Sequence, residues 1–256
     1  MLVLGLCVGS FLNMAEYRLA VKYKLKNFKL QTSNKNRSYC DFCGRQLFWY
    51  ENVPVLSWII QLGKTRCCGK KLPLQYPLLE LSMGIIFLII TILSPPDGGE
   101  RYIYFVVSSL LMFSLIFDLK YMILPDFANY SLIATSILLI IMGGHKGTPL
   151  QFILTGLGSL LFFFLLNRIK IRGSEAMGMG DVKYSLFMGL FLGWPNTLVA
   201  IYFAFVIGAI VSIVLLVFKI IKRENPIPFG PFLIIGTVVA KIYGEQIIKY
   251  FFGVLL

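Results

Sequence analysis

The sequence predicts an all-α polytopic membrane protein, with about eight transmembrane helices and a small cytoplasmic loop domain that contains cysteines. Three observations carry this prediction. Of 256 residues, 57% are hydrophobic and only 14% charged, outside the balance of a soluble domain. Apolar runs recur along the chain at lengths near the roughly 20 residues that a hydrocarbon core of about 30 Å requires. Lysines and arginines gather in alternate connecting segments, where orientation in a bilayer accounts for them. The formal charge of +12 therefore calls for no nucleic acid, of which basic residues alone are a weak sign.

In chain order, the first run covers residues 1–17. It has neither a basic n-region nor a small-residue cleavage site, so it is expected to stay as a helix. Residues 18–76 form a cytoplasmic loop domain, and residues 77–256 a seven-helix core. The core runs are 77–94, 102–117, 127–143, 150–167, 184–193, 197–218 and 232–252. The run at 184–193 is the shortest, and a helix beginning inside the Gly-rich segment before it would account for that. Residues 95–99 and 143–147 are turns with no assigned chemistry.

Orientation follows from the cations. The first connection carries them from Lys22, Lys24, Lys26 and Lys29 through Lys35, Arg37, Arg45 and Lys64 to Lys71, whereas the next holds only Arg101. If the first is cytoplasmic, so are the connections with Arg168, Lys170, Arg172 and Lys183 and with Lys219, Lys222 and Arg223, while His145 and Lys146 fall outside. The N-terminus is then outside, and Asp118 and Asp181 both lie at the cytoplasmic face.

Those two acids are the candidate catalytic pair. A carboxylate between apolar runs costs a few kcal/mol or more, which makes it a functional candidate in search of a partner. Asp181 lies in Gly178-Met179-Gly180-Asp181-Val182-Lys183, and Asp118 closes the run 102–117. Two aspartates at the same end of neighbouring helices can share a proton and activate a water. Gly178 and Gly180 allow close approach and irregular backbone, which in a membrane must line a wet cavity or be satisfied by protein. On spacing alone, Asp181 also fits an N-cap and Asp118 a headgroup marker. Asp126 rivals Asp118, but an aspartate directly after Pro125 reads as a cap. Glu80 and Lys183 are taken to shape the site, Glu80 by binding backbone or a cation. The sole histidine, His145, leaves no His-Glu-x-x-His zinc site and no Ser-His pair on the inner face. An aspartyl mechanism needs no cofactor.

Cys40-Asp41-Phe42-Cys43-Gly44 has the form of half a zinc knuckle, and Thr65-Arg66-Cys67-Cys68-Gly69 departs from the second half. Adjacent cysteines point in different directions, so their joint ligation of one tetrahedral metal is expected to be strained. Structural zinc on Cys40, Cys43, Cys67 and Cys68 stays open at this point. A disulfide is disfavoured on the cytoplasmic side. Cys7, in the first helix, is expected to pack as an apolar residue.

These segments together resemble the type IV prepilin leader peptidases, polytopic Gly-x-Gly-Asp aspartic peptidases. The resemblance runs through Gly9-Ser10-Phe11-Leu12-Asn13, the stretch from Trp49 to Trp58, and Tyr76-Pro77-Leu78-Leu79-Glu80-Leu81. It continues through Phe117-Asp118-Leu119 to Asp126, Gly178 to Lys183, and Ile227-Pro228-Phe229-Gly230-Pro231. It implies that Asp118 and Asp181 are catalytic and that Asp126 is not the second acid. It also implies a prepilin or pseudopilin substrate, cut after glycine at the cytoplasmic face of the bacterial inner membrane. Many members then N-methylate the new N-terminus with S-adenosylmethionine, an activity ascribed to the cytoplasmic loop. Thr65 stands where many members have the third cysteine, and Cys67 is an addition. Glu16 stands at a usually apolar position, and Glu51 replaces a common aspartate. Two other readings compete: an intramembrane aspartic protease of the presenilin or preflagellin kind, and a proton-coupled transporter using the same acids. A panel of signal-peptide substrates separates the first, and flux without cleavage the second.

Overall fold

The structure, a computed structural model, describes residues 1–25, 38–40, 42–94, 99–144, 147–171, 174–175, 177–219 and 227–253. Asp41, His145, Lys146, Arg172, the turn at 95–98, and the cations Lys26, Lys29, Lys35, Arg37, Lys222 and Arg223 lie outside the described residues. Each apolar run forms a helix. In chain order these are α1 (Leu2–Lys22), the short α2 (Leu56–Ile60) within the loop, α3 (Gln75–Leu93), α4 (Glu100–Tyr121), α5 (Asp126–Ile141), α6 (Pro149–Arg168), α7 (Met179–Leu192), α8 (Asn196–Val217) and α9 (Gly230–Phe252). A hairpin of two-residue strands, β1 (Lys170–Ile171) and β2 (Ser174–Glu175), joins α6 to α7.

Six helices, α1, α3, α4, α6, α8 and α9, are long and apolar enough to cross a membrane. Between 22% and 50% of their most apolar windows is buried inside the protein, and residues such as Val3, Ile92 and Val217 point outward. Helices with apolar surfaces on the outside suit lipid, because each satisfies its own backbone hydrogen bonds. Two boundaries move from expectation. α1 continues past residue 17 to Lys22, since Arg18 and Lys22 can carry their charges toward water along apolar stems. α4 continues past Asp118 to Tyr121, which sets that acid inside the last turn rather than at the helix end. α7 does begin within the Gly-rich segment, at Met179.

The chain divides into two compact units, Met1–Ser109 and Leu110–Leu256, with the boundary inside α4. In the first, α1 lies along α3. A Cβ on Gly5 would come within 2.5 Å of the Met83 carbonyl oxygen, and one on Gly9 within 2.6 Å of the Glu80 Cα. This is the small-xxx-small contact that lets membrane helices meet at backbone distance. It also turns Cys7, two residues from each glycine, to the other side of α1. That explains why Cys7 is exposed rather than packed.

In the second unit α7 is the hub, packed by α5, α6, α8 and α9. Ten of its 14 residues are buried. At about 1.5 Å per residue it is only some 20 Å long, and a helix apolar on every side needs neighbours rather than solvent. Small residues let α6 close on it. Ser159 Oγ donates to the Ser185 carbonyl oxygen at 2.7 Å, and a Cβ on Gly189 would meet Ser159 Oγ at 2.5 Å and Gly156 Cα at 2.6 Å. On the α9 side, the buried Tyr184 hydroxyl donates to Thr237 Oγ1 at 3.0 Å.

Gly189→Val is therefore expected to destabilise the fold by about 1–3 kcal/mol through overpacking against backbone. Thermal unfolding in detergent should show a lowered midpoint. Gly158→Val, on the same bundle but with open space around its Cβ direction, should leave the midpoint unchanged.

Candidate active site

α7 is capped by Gly178, so Met179, Gly180 and Asp181 are its first three residues. Asp181 is thus not the N-cap. Its carboxyl folds back over the helix start, toward the Gly178 amide, where the dipole favours negative charge. The backbone that presents it is held from two sides. Asn167, at the end of α6, donates through Nδ2 to the Met177 carbonyl oxygen at 2.5 Å, and Asn129 of α5 donates to that of Gly180 at 3.3 Å. Sequence reasoning passed over both. Their signal was available, since each is an asparagine in or at the end of an apolar run, and both are buried.

Asp118 arrives from the last turn of α4. Past it the chain reverses through Met122, at a left-handed φ of 56° with its amide bonded to the Asp118 carbonyl oxygen at 2.8 Å. The reversal buries Leu124, and two glycines close on that side chain. A Cβ on Gly180 would lie 3.0 Å from Leu124 Cβ, and one on Gly230, the first residue of α9, 3.3 Å from Leu124 Cδ1. The Gly230 position also abuts the Asp118 carboxyl, toward which its amide is directed. The segment Ile227–Pro231 thereby acquires a role that its sequence did not disclose.

The two acids are 4% and 9% exposed, and Asp118 is near enough to act on Asp181 through its charge. Two such carboxyls are not both charged without cost, and a shared proton removes the repulsion. Asp118 Oδ2 is buried with no hydrogen-bond partner among the described residues. Asp126 behaves differently. It follows the N-cap Pro125 as the first residue of α5, so it is not the cap either. At 58% exposure it pairs with Lys183 Nζ at 2.6 Å. Lys183 also lies 5.4 Å above the Tyr130 ring. Glu80 belongs to the first unit, where its Oε2 accepts from the Val55 amide at 2.7 Å and ties the loop to α3.

The cysteine loop contains two matching turns. Cys40 N–H donates to the Arg45 carbonyl and Gly44 N–H to that of Cys40, each at 2.8–2.9 Å; Thr65 with Lys70 and Gly69 with Thr65 repeat the pattern at 2.8 Å. Gly44 and Gly69 both sit at left-handed φ, 71° and 67°. Thr65 occupies the place of Cys40 in the second turn, and Cys67 supplies the missing sulfur. The strain expected from adjacent cysteines does not keep them apart: Cys67 and Cys68 Sγ are 4.0 Å from each other, Cys40 and Cys68 3.9 Å, and Cys43 and Cys67 3.3 Å. All four sulfurs lie within 4.8 Å. With Zn–S bonds of about 2.3 Å, a tetrahedron has sulfurs about 3.8 Å apart, so donor set and spacing both fit zinc. The thiols differ in acidity. The Thr65 hydroxyl beside Cys68 lowers it to about 7, whereas the Cys43 sulfur above all, with burial, raises Cys67 to about 12.

Residues 3–93 match the family model of the bacterial peptidase A24 N-terminal domain, and residues 105–213 that of the type IV leader peptidase family. The chain is 32% identical over 261 residues to the prepilin leader peptidase/N-methyltransferase of Burkholderia pseudomallei strain 1026b, covering 95% of this chain and 84% of that one. It is 28% identical to that of Aeromonas salmonicida strain A449 (98% and 92% covered) and 29% to that of Vibrio cholerae (93% of each). No solved structure matches the chain.

Gly230→Ala places a methyl group against the Asp118 carboxyl. It should lower peptide cleavage by about 100-fold, in proportion to a misplacement of about 1 Å. A thermal midpoint close to wild type, measured in parallel, separates this from unfolding.

Proposed function

This chain belongs to the type IV leader peptidase family of membrane proteases, and from that premise we propose that it is an aspartic endopeptidase acting through Asp118 and Asp181. The observation that carries the reading is the pairing of two buried carboxyls from different helices, each faced by a backbone amide rather than by a cation. The ionised member of the pair takes a proton from water. The protonated member donates a hydrogen bond to the scissile carbonyl oxygen, and the water attacks the carbonyl carbon. The tetrahedral intermediate then collapses as the departing amine accepts a proton from the pair. Coupled carboxyls release protons in two macroscopic steps, so these roles belong to the dyad and not to either residue. Asp126 is exposed and held by Lys183, which supports its exclusion from the pair.

The substrate is a prepilin or pseudopilin, whose basic leader is cut after a glycine at the cytoplasmic face of the inner membrane. The distribution of cations supports that orientation. The relatives' name supports a second activity, N-methylation of the new amino terminus with S-adenosylmethionine as donor. Zinc on Cys40, Cys43, Cys67 and Cys68 would fix the two turns of the loop to each other, a structural task in which all four positions are closed by protein. Residues 77–256 form the peptidase core in this reading.

Asp118→Asn and Asp181→Asn should each reduce cleavage of a prepilin by about 1,000-fold or more with expression retained. Mass measurement of the product checks this, and wild-type processing by either variant contradicts the assignment. Metal analysis of the purified protein should find about one zinc per chain. A Cys40→Ser/Cys68→Ser variant should lose the zinc and keep the peptidase activity.

A further inference from the structure

The start of α5 meets the start of α7 through a contact with two sides. On the buried side Leu124 packs against Gly180, and Asp181 follows directly. On the exposed side, a short way further along each segment, Asp126 Oδ1 accepts from Lys183 Nζ at 2.6 Å. These two side chains are 58% and 28% exposed, so the ion pair is open to solvent close to the proposed catalytic acids. Such a pair is worth about 0–1 kcal/mol, because solvent screens the attraction and two flexible side chains must be held in one geometry. A competing cation therefore displaces Lys183 at little cost, and the displaced ammonium keeps a second partner in the Tyr130 ring, 5.4 Å from Nζ. Asp126 itself is the first residue of α5, where the helix dipole favours its negative charge. The unit offers a cationic peptide little else. Among its described residues the other acids are Asp118 and Asp181, both buried, Glu175 in the hairpin, and Glu245, about 22 Å along α9 from Gly230. The chain as a whole carries +12, so a basic peptide is repelled unless an acid lies on its path.

We propose that Asp126 binds a cationic side chain of the substrate's leader, and that Lys183 holds the carboxylate's place until the leader displaces it. The inference rests on the peptidase reading above and names the residue that selects a basic leader. A leader whose scissile bond already lies at the two acids presents its cation at a high local concentration, which a free cation in solution does not match. The exposed pair thus works as an exchangeable contact. Asp126 acts on substrate binding and not on the chemical step, and its effect is electrostatic, so it weakens as salt is added.

The test uses the full chain in lipid nanodiscs at low ionic strength with two substrates, a prepilin and the same prepilin with the lysines and arginines of its leader changed to glutamine. The wild-type protein is expected to show a KM for the basic leader about threefold or more below that for the neutral one, a difference that closes at high salt. In Asp126→Asn the two KM values should converge. A preference for the basic leader that Asp126→Asn leaves intact overturns the site, because a purely structural role would change both substrates alike. Should Asp126→Asn process neither substrate, a photoreactive group at a basic position of the leader decides on the wild-type protein: label within residues 121–130 or 179–187 supports the site, and label elsewhere overturns it. The two readings fail separately. A wild-type protein that never cleaves the prepilin refutes the peptidase reading, whereas cleavage with a preference indifferent to Asp126 refutes only the leader site.

Discussion

The structure of the second unit depends on how the irregular backbone before α7 is satisfied. Met177 and Gly180 present carbonyl oxygens at the start of a helix enclosed by four others, and Asn167 and Asn129 supply the donors. Without them, buried carbonyls would lose hydrogen bonds at about 1–3 kcal/mol each. With them, the segment has one conformation, and Asp181 leaves it three residues after the cap. The helix dipole and the Gly178 amide offset part of the cost of burying an acid there.

The same economy of space governs Asp118. Leu124 is a spacer between two glycines, Gly180 and Gly230, and only residues without a Cβ allow the starts of α7 and α9 to approach it together. This packing links the two acids through one buried leucine. It places an amide, not a cation, against Asp118, so its proton affinity is left to its neighbour and to the dielectric around it. A fixed positive charge at that position would hold both carboxylates ionised and remove the acid half of the proposed chemistry.

The first unit works by different means, with turns, sulfurs and buried carboxylates in place of a hub helix. Its two knuckles repeat one hydrogen-bond pattern even though their cysteines do not repeat, because the pattern is set by backbone and by Gly44 and Gly69. The convergence of four sulfurs therefore survives Thr65 in place of a cysteine, with Cys67 supplying the fourth from a neighbouring position.

Much of this was legible in the chain itself. Runs of apolar residues dictated the six long helices and the shorter α5 and α7 among the described residues, and the run at 184–193 even required a start within the glycines. The sequence put Asp118 and Asp181 at helix ends, but α4 runs on past Asp118 to Tyr121 and α7 begins before Asp181, at Met179. What composition did not reveal were contacts decided by three-dimensional closeness: Gly230 against Asp118, the two asparagines, and the convergence of adjacent cysteines. Spacing along a chain carries no information about which side chains a reversal at Met122 brings together. The central claim is that the two carboxyls act on one reacting centre. The most direct measurement is an experimental structure of the protein with a peptide inhibitor that carries a hydroxyl in place of the scissile carbonyl. The account predicts that hydroxyl within hydrogen-bond reach of both Asp118 and Asp181. A hydroxyl bound by one acid, with the other turned to a different partner, would contradict it.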